Sequence, residues 1–164
     1  MQRANLLAIL KELTEGGVQF ILVGGLAAVL HGAPVHTFDV DVVYARDDAN
    51  IERLLRVLNA MSAIFRSQPE RRLEPNESHL RAGGHLNLIT RYGPLDVLGS
   101  IGADLKYEHL LTRATDLDLG EALAIRVLNL EVLIALKEEL GGEKDLAALA
   151  ILKSTLAEIR KRET

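Results

Sequence analysis

Two carboxylates one residue apart stand inside a run written for burial, Phe38-Asp39-Val40-Asp41-Val42. In an extended strand alternate side chains share a face, so Asp39 and Asp41 project together, roughly 6.6 Å apart along the backbone, while Phe38, Val40 and Val42 are expected to face the core. Like charges at that spacing repel, and a divalent cation between them removes the penalty. Oxygen-only ligands select a hard ion, Mg2+ or Mn2+, over zinc. Metal-assisted phosphoryl or nucleotidyl transfer needs carboxylates on adjacent strands that converge on two ions about 3.5–4 Å apart. Asp96, between Leu95 and Val97, completes such a trio, as a ligand and as the base that takes the proton of an attacking hydroxyl. Upstream, Gly24-Gly25 joins an apolar run to a short helical segment. There it leaves backbone N–H groups able to approach phosphate oxygens at the positive end of the helix dipole.

These residues need elements to hold them. Leu6, Leu7, Ile9, Leu10 and Leu13 recur at helical spacing and Gly16-Gly17 stops that helix. Residues 18–23 form a β-prone run, Gly24-Gly25 hands over to a short helix through Leu30, and Gly32 and Pro34 end it. Residues 38–44 are expected as the second strand, and Asp47 or Asp48 caps a helix through Met61 with Ile51, Leu54, Leu55 and Leu58 on one face. Residues 66–84 turn polar and are expected as a surface loop. Its Arg66, Arg71, Arg72 and Arg81, interleaved with Glu70, Glu74 and Glu77, make either a solvated mixed-charge segment or a rim beside Asp96 for an acceptor RNA or nucleotide. Residues 85–90 and 95–98 flank Arg91-Tyr92-Gly93-Pro94, which predicts a hairpin with Asp96 in its second arm. A strand at 124–128 follows. Asn129 then caps a helix to Leu140, Gly141-Gly142 ends it, and a last helix runs from about Glu143 towards Arg160.

Within that tail, Lys137 falls between Leu133 and Leu140 inside an apolar stripe, and Asp145 shares its stripe with Leu149, Leu152, Leu156 and Ile159. Charges of both signs on inward faces mean a buried ion pair or two groups aimed at a cleft. A carboxylate in a first helical turn is also favoured by the dipole alone, which accounts for Asp145 without a ligand. Asp116-Leu117-Asp118 repeats the D-x-D pattern without an upstream glycine pair and reads as a surface turn. The five histidines have no metal spacing, and His31 and His36 read as turn residues.

The glycine pair, the D-x-D fourteen residues beyond Gly25 and Asp96 fifty-five beyond Asp41 together resemble the signature of the DNA polymerase beta-like nucleotidyltransferase superfamily. The likeness is to its small members, the minimal and AbiEii-like nucleotidyltransferases, and it covers the chain almost end to end. It implies an α+β fold: a twisted mixed β-sheet with helices packed on it and a C-terminal helical tail. It implies a transferase that moves a nucleoside monophosphate from a triphosphate to an acceptor hydroxyl and releases pyrophosphate. Asp39, Asp41 and Asp96 would be the catalytic, metal-binding residues, and Gly24, Gly25, Thr37, Lys137 and Asp145 the nucleotide-binding ones. Lys137, Lys144 and Asp145 look like the lysine and Lys-Asp pair that AbiEii-like proteins often carry, with Lys137 on the triphosphate and Asp145 orienting it. The resemblance further implies an RNA end, such as that of tRNA, or a protein side chain as acceptor, and a toxin–antitoxin role with a cognate antitoxin or a second copy as partner. One position departs. Superfamily members commonly carry arginine four residues before the first aspartate and threonine two before; Thr37 is kept, but Val35 stands at the arginine position. A cation near the phosphates must then come from elsewhere, His36 or Lys137, or the chain is a non-catalytic nucleotide-binding or partner-binding module on the same fold.

Composition is consistent with this scale of protein. At 164 residues, 48% apolar and 26% charged, the chain is long enough for one domain, with residues 1–128 as the core and 129–164 as the helical pair. The absence of cysteine excludes a disulfide framework and any thiolate metal site, and suits a reducing cytoplasm. A formal charge of −4 argues against broad nonspecific nucleic-acid binding and leaves room for a local basic patch. Residues 16–38 lack Asp, Glu, Lys and Arg but hold five glycines, a proline and two histidines, and their compact apolar part, 18–30, is too short to cross a bilayer. Lys11 and Glu12 interrupt what would have to be the apolar region of a signal peptide. A cytoplasmic protein with no membrane partner is expected.

Overall fold

The computed structural model describes residues 4–164, without the side chains of residues 143–145. In chain order the elements are α1 (Leu6–Glu15), β1 (Phe20–Val23), α2 (Gly24–Leu30), β2 (Val40–Tyr44), α3 (Asp48–Ala60), β3 (Ile64–Phe65), α4 (Glu77–Ala82), β4 (His85–Thr90), β5 (Gly93–Leu98), α5 (Tyr107–Leu110), β6 (Ala114–Asp118), β7 (Ala124–Leu128), α6 (Leu130–Leu140) and α7 (Glu143–Arg162). The strands join in one sheet in the order β3-β4-β5-β2-β1-β7-β6. β1 and β2 are antiparallel, β2 pairs β5 in parallel, and β1 pairs β7 in parallel. The outer pairs β3–β4, β4–β5 and β6–β7 are antiparallel. The result is the mixed sheet of an α+β fold, as the sequence leads one to expect.

The two-residue period of a strand sorts the sheet into two faces. Val40, Val42 and Tyr44 share one face and are fully buried. There the Tyr44 hydroxyl donates to the Leu80 carbonyl of α4 at 2.6 Å, and α3 packs against both α1 and α4. Asp47 caps α3 by accepting from the Asn50 N–H at 3.0 Å. Asn50 is itself buried and ties the approach to β1 to the exit of β2: its Oδ1 accepts from the Gln19 N–H at 2.7 Å, and its Nδ2 donates to the carbonyls of Gln19 at 3.0 Å and Ala45 at 2.7 Å. The other face carries Val23, Asp41 and Asp96 in one cross-strand row. α2 packs there on β1, β2 and α6, and α6 packs on α7.

Several expectations are corrected. Asp39 lies at a bend just before β2, and Phe38, expected in the core, is 78% exposed. The cause is that β1 ends at Val23, opposite Asp41, where Gly24 (φ +71°) turns the chain into α2. No partner remains for an earlier start of β2, and the Thr37 hydroxyl donating to the Asp39 carbonyl at 3.2 Å curls this segment instead. The expected loop at 66–84 contains a 3-10 turn (Pro69–Arg71) and α4. Asn76 accepts from the His79 N–H while His79 Nδ1 accepts from the Asn76 N–H, both at 3.0 Å. A histidine closes this capping box where glutamate or glutamine is usual, which hides it from the common pattern. Asp116-Leu117-Asp118 is an edge strand rather than a turn, held in register with β7 and by Asp116 accepting from Arg126 Nε at 3.2 Å. Asn129 occupies the N-cap position of α6, but its side chain accepts from the Thr115 hydroxyl at 2.6 Å instead of capping. His31 behaves as a turn residue, donating from Nε2 to the Leu128 carbonyl at 2.8 Å. Among the described residues, no helix is long and apolar enough to cross a membrane.

Candidate active site

The parallel register of β2 and β5 sets Asp41 directly beside Asp96, and Asp39 stands two residues before Asp41 at the mouth of the strand. One carboxylate oxygen from each of the three lies within 4.8 Å of the others. Residues far apart in sequence thus meet because two strands share a direction and their side chains share a face.

The approach of Gly24 completes the geometry. A Cβ at Gly24 would collide with the Asp41 carboxylate, and its left-handed backbone is one that residues with side chains rarely adopt. At Gly25 a Cβ would come within 3.0 Å of Thr37 Oγ1, so Gly24 is packed against Asp41 and Gly25 against Thr37, whose hydroxyl holds the Asp39 carbonyl.

Burial and crowding show in the protonation of Asp39 and Asp41. Burial, then the Asp39 charge and a hydrogen bond with Asp96, push the Asp41 carboxyl up to about 8. Asp39 is also raised, first by burial and then by Asp96, with Arg66 opposing. Three carboxylates brought within 4.8 Å of one another are hard oxygen donors that fit a divalent ion such as Mg2+ or Mn2+, because the ion's charge offsets their repulsion.

Lys137 and Asp41 border one space. A cavity of about 470 Å³ is lined by Gly24, Asp41, Lys137 and Glu139, and by Ile101, Leu133 and Leu136 among its aliphatic residues. Lys137 is half-buried, but the expected inward stripe does not extend to Leu140, which is 76% exposed at the end of α6. The side chains of Lys144 and Asp145 lie outside the described residues.

Of the arginines in residues 66–84, one reaches the trio. Arg66 donates from a terminal nitrogen to Asp96 Oδ1 at 2.9 Å. Arg71 is bound to Gln68 at 2.8 Å, and Arg81 pairs with Asp48 and Glu77 at 2.6 Å. Arg66 directly follows Ile64-Phe65, and the pairing of those two residues with β4 fixes where its side chain begins.

No protein-family model matches the chain, and no curated protein matches it. Solved structures do resemble it. A candidate nucleotidyltransferase from Thermotoga maritima is 18% identical with a TM-score of 0.56, over 93% of this chain and 91% of that one. The lincosamide antibiotic adenylyltransferase LnuA, with lincomycin bound, is 14% identical with a TM-score of 0.62, over 94% of this chain and 99% of that one. At such identities the likeness is one of fold alone, and both of these structures are of nucleotidyltransferases by description.

Proposed function

We propose that this chain is a divalent-metal-dependent nucleotidyltransferase, which moves a nucleoside monophosphate from a triphosphate to an acceptor hydroxyl. The observation that carries this reading is the convergence of Asp39, Asp41 and Asp96 within 4.8 Å. Asp41 also lines a cavity bordered by Gly24 and Lys137. Asp39, Asp41 and Asp96 hold Mg2+ or Mn2+, whose charge, when bound, stabilises the phosphate oxygens. Gly24, Gly25 and Thr37 shape the wall against which the triphosphate lies, Lys137 contacts it, and Asp145 orients it. Asp96 accepts the proton of the acceptor hydroxyl as its oxygen bonds to the α-phosphorus and the bond to pyrophosphate breaks.

The chain acts as a single domain, with residues 1–128 supplying the carboxylates and the helical pair at 129–164 closing the cavity. In this reading it is a cytoplasmic enzyme of the AbiEii-like type with an RNA end or a protein side chain as acceptor, working beside an antitoxin or a second copy. A second reading of the acceptor is supported by the aliphatic walls of the cavity and by the lincomycin carried by LnuA: a small hydroxylated molecule with an apolar body.

Incubation with each α-labelled triphosphate and Mg2+, with cellular RNA, protein and small-molecule fractions offered separately, tests both. Label in one fraction names the acceptor class. Its persistence in Asp39→Asn/Asp41→Asn would refute the assigned site.

A further inference from the structure

Arg66 reaches the acidic trio through Asp96 Oδ1 at 2.9 Å, and its position is set by backbone rather than chance. Its N–H donates to the Asn87 carbonyl at 2.9 Å, and Asn87 is the β4 residue paired with Asp96. Asn87, Asp96 and Asp41 thus stand in one cross-strand row on β4, β5 and β2, and Arg66, in the turn directly after β3, extends it through its bond to Asn87. At roughly 4.8 Å between strands, a side chain in the Arg66 position must cross about 10 Å to reach Asp96. Arginine spans this, and its charge arrives at the trio from the edge opposite Gly24.

We propose that Arg66 is an exchangeable partner of Asp96. It holds that carboxylate while no divalent ion is bound, gives up the oxygen to the ion, and turns its guanidinium to a phosphate of the triphosphate, the part that Val35 cannot play. The inference rests on the nucleotidyltransferase reading above. Three observations support exchange over a fixed structural pair. The contact uses one guanidinium nitrogen and one carboxylate oxygen, whereas a guanidinium is built for two parallel bonds to phosphate. The Asp96 side chain is 14% exposed and the Arg66 side chain 38%, so Arg66 has an open side from which to move while Asp96 stays. The same Asp96 oxygen cannot be fully shared between a divalent ion and a guanidinium, because two cations then crowd one anion.

The test uses the full chain and Mn2+ alone, with binding followed calorimetrically in native protein, Arg66→Gln, Asp96→Asn and the double variant. Removing the competitor is expected to tighten Mn2+ binding in Arg66→Gln by about threefold to fivefold, the range of a partly exposed ion pair. That gain should vanish in the Asp96→Asn background, since the competition runs through this carboxylate. With Mn2+ present, a non-hydrolysable triphosphate is expected to bind Arg66→Gln about tenfold more weakly, as a charge-assisted contact is lost, and Arg66→Lys should recover part of this. Equal Mn2+ affinity in native and Arg66→Gln protein, or a gain undiminished without Asp96, overturns the exchange while leaving the nucleotidyltransferase reading in place. Absence of Mn2+ binding in native and Arg66→Gln protein alike overturns both.

Discussion

Gly24 and Asp41 are fitted to one another so closely that a single methyl group on Gly24 would occupy the space of the Asp41 carboxylate. β1 and β2 pair at Val23 and Asp41, so the turn into α2 begins directly alongside that carboxylate. The glycine is required twice, for its φ of +71° and for the missing Cβ.

Gly24→Ala is accordingly expected to displace Asp41 as well as strain the turn. The left-handed backbone alone costs about 1–2 kcal/mol, visible as a lowered denaturation midpoint. The Mn2+-induced rise in melting temperature should be lost at the same time. A variant that melts lower yet keeps the full Mn2+ response would show that Asp41 does not need this contact.

The raised Asp41 carboxyl makes a prediction about pH. From an ordinary value of 3.8, it is pushed up to about 8 by burial and by its acidic neighbours. Between about pH 4 and 8 the folded protein therefore keeps a proton that the unfolded chain has released, and stability falls as pH rises through that window. Metal-free native protein should melt lower at pH 8 than at pH 5. Asp41→Asn should flatten this slope and melt above native protein at pH 8, with the gap closing near pH 4. Because an ion must displace the retained proton, Mn2+ should bind more tightly at pH 8 than at pH 6. A metal-free melting temperature that climbs over the same interval would contradict the crowded-carboxylate account.

Asn50 tests the scaffold separately from the chemistry. Truncation in Asn50→Ala leaves the Gln19 N–H and the Ala45 carbonyl without their Asn50 partner, while the Gln19 carbonyl keeps the Ala45 N–H, at a cost of about 2–4 kcal/mol. Urea denaturation should report this loss. Because Asn50 lies in α3, which packs with α1 and α4, and the carboxylates lie on the face that carries α2, the Mn2+ affinity of the folded variant is expected to stay unchanged.

Lys137→Ala should separate nucleotide from metal. The lysine borders the cavity together with Asp41, so its loss is expected to raise the KM for triphosphate about tenfold, the scale of a charge-assisted contact. Mn2+ binding to nucleotide-free protein should not weaken. A fall in Mn2+ affinity would instead place Lys137 in support of the carboxylates.

Much of this arrangement was legible in the chain because period and punctuation agree with the tertiary structure. The hairpin carrying Asp96, the glycine turn and the helix after Asp47 are all governed by local chemistry, and the structure has them where the residues indicate. Phe38 was misread because alternation says which residues share a face, not how far the strand extends. That limit is set by β1 ending at Val23. α4 was missed because its cap is closed by His79. The pairing of Arg66 with Asp96 depends on a register between strands that neither residue's neighbours encode.

The parallel pairing of β2 with β5 also bears on how the chain acquires its site. Asp39 and Asp41 lie fifty-five residues or more before Asp96, and the segment between holds α3, β3, α4 and β4. A loop of that length must close before the two strands can align, and non-local pairing of this kind forms slowly. Until it does, the chain has only a lone acidic pair to offer an ion. Divalent-ion affinity is therefore a reporter of tertiary completion: a folding intermediate with its helices formed, but β5 not yet docked, should bind Mn2+ no better than the isolated Asp39–Asp41 segment.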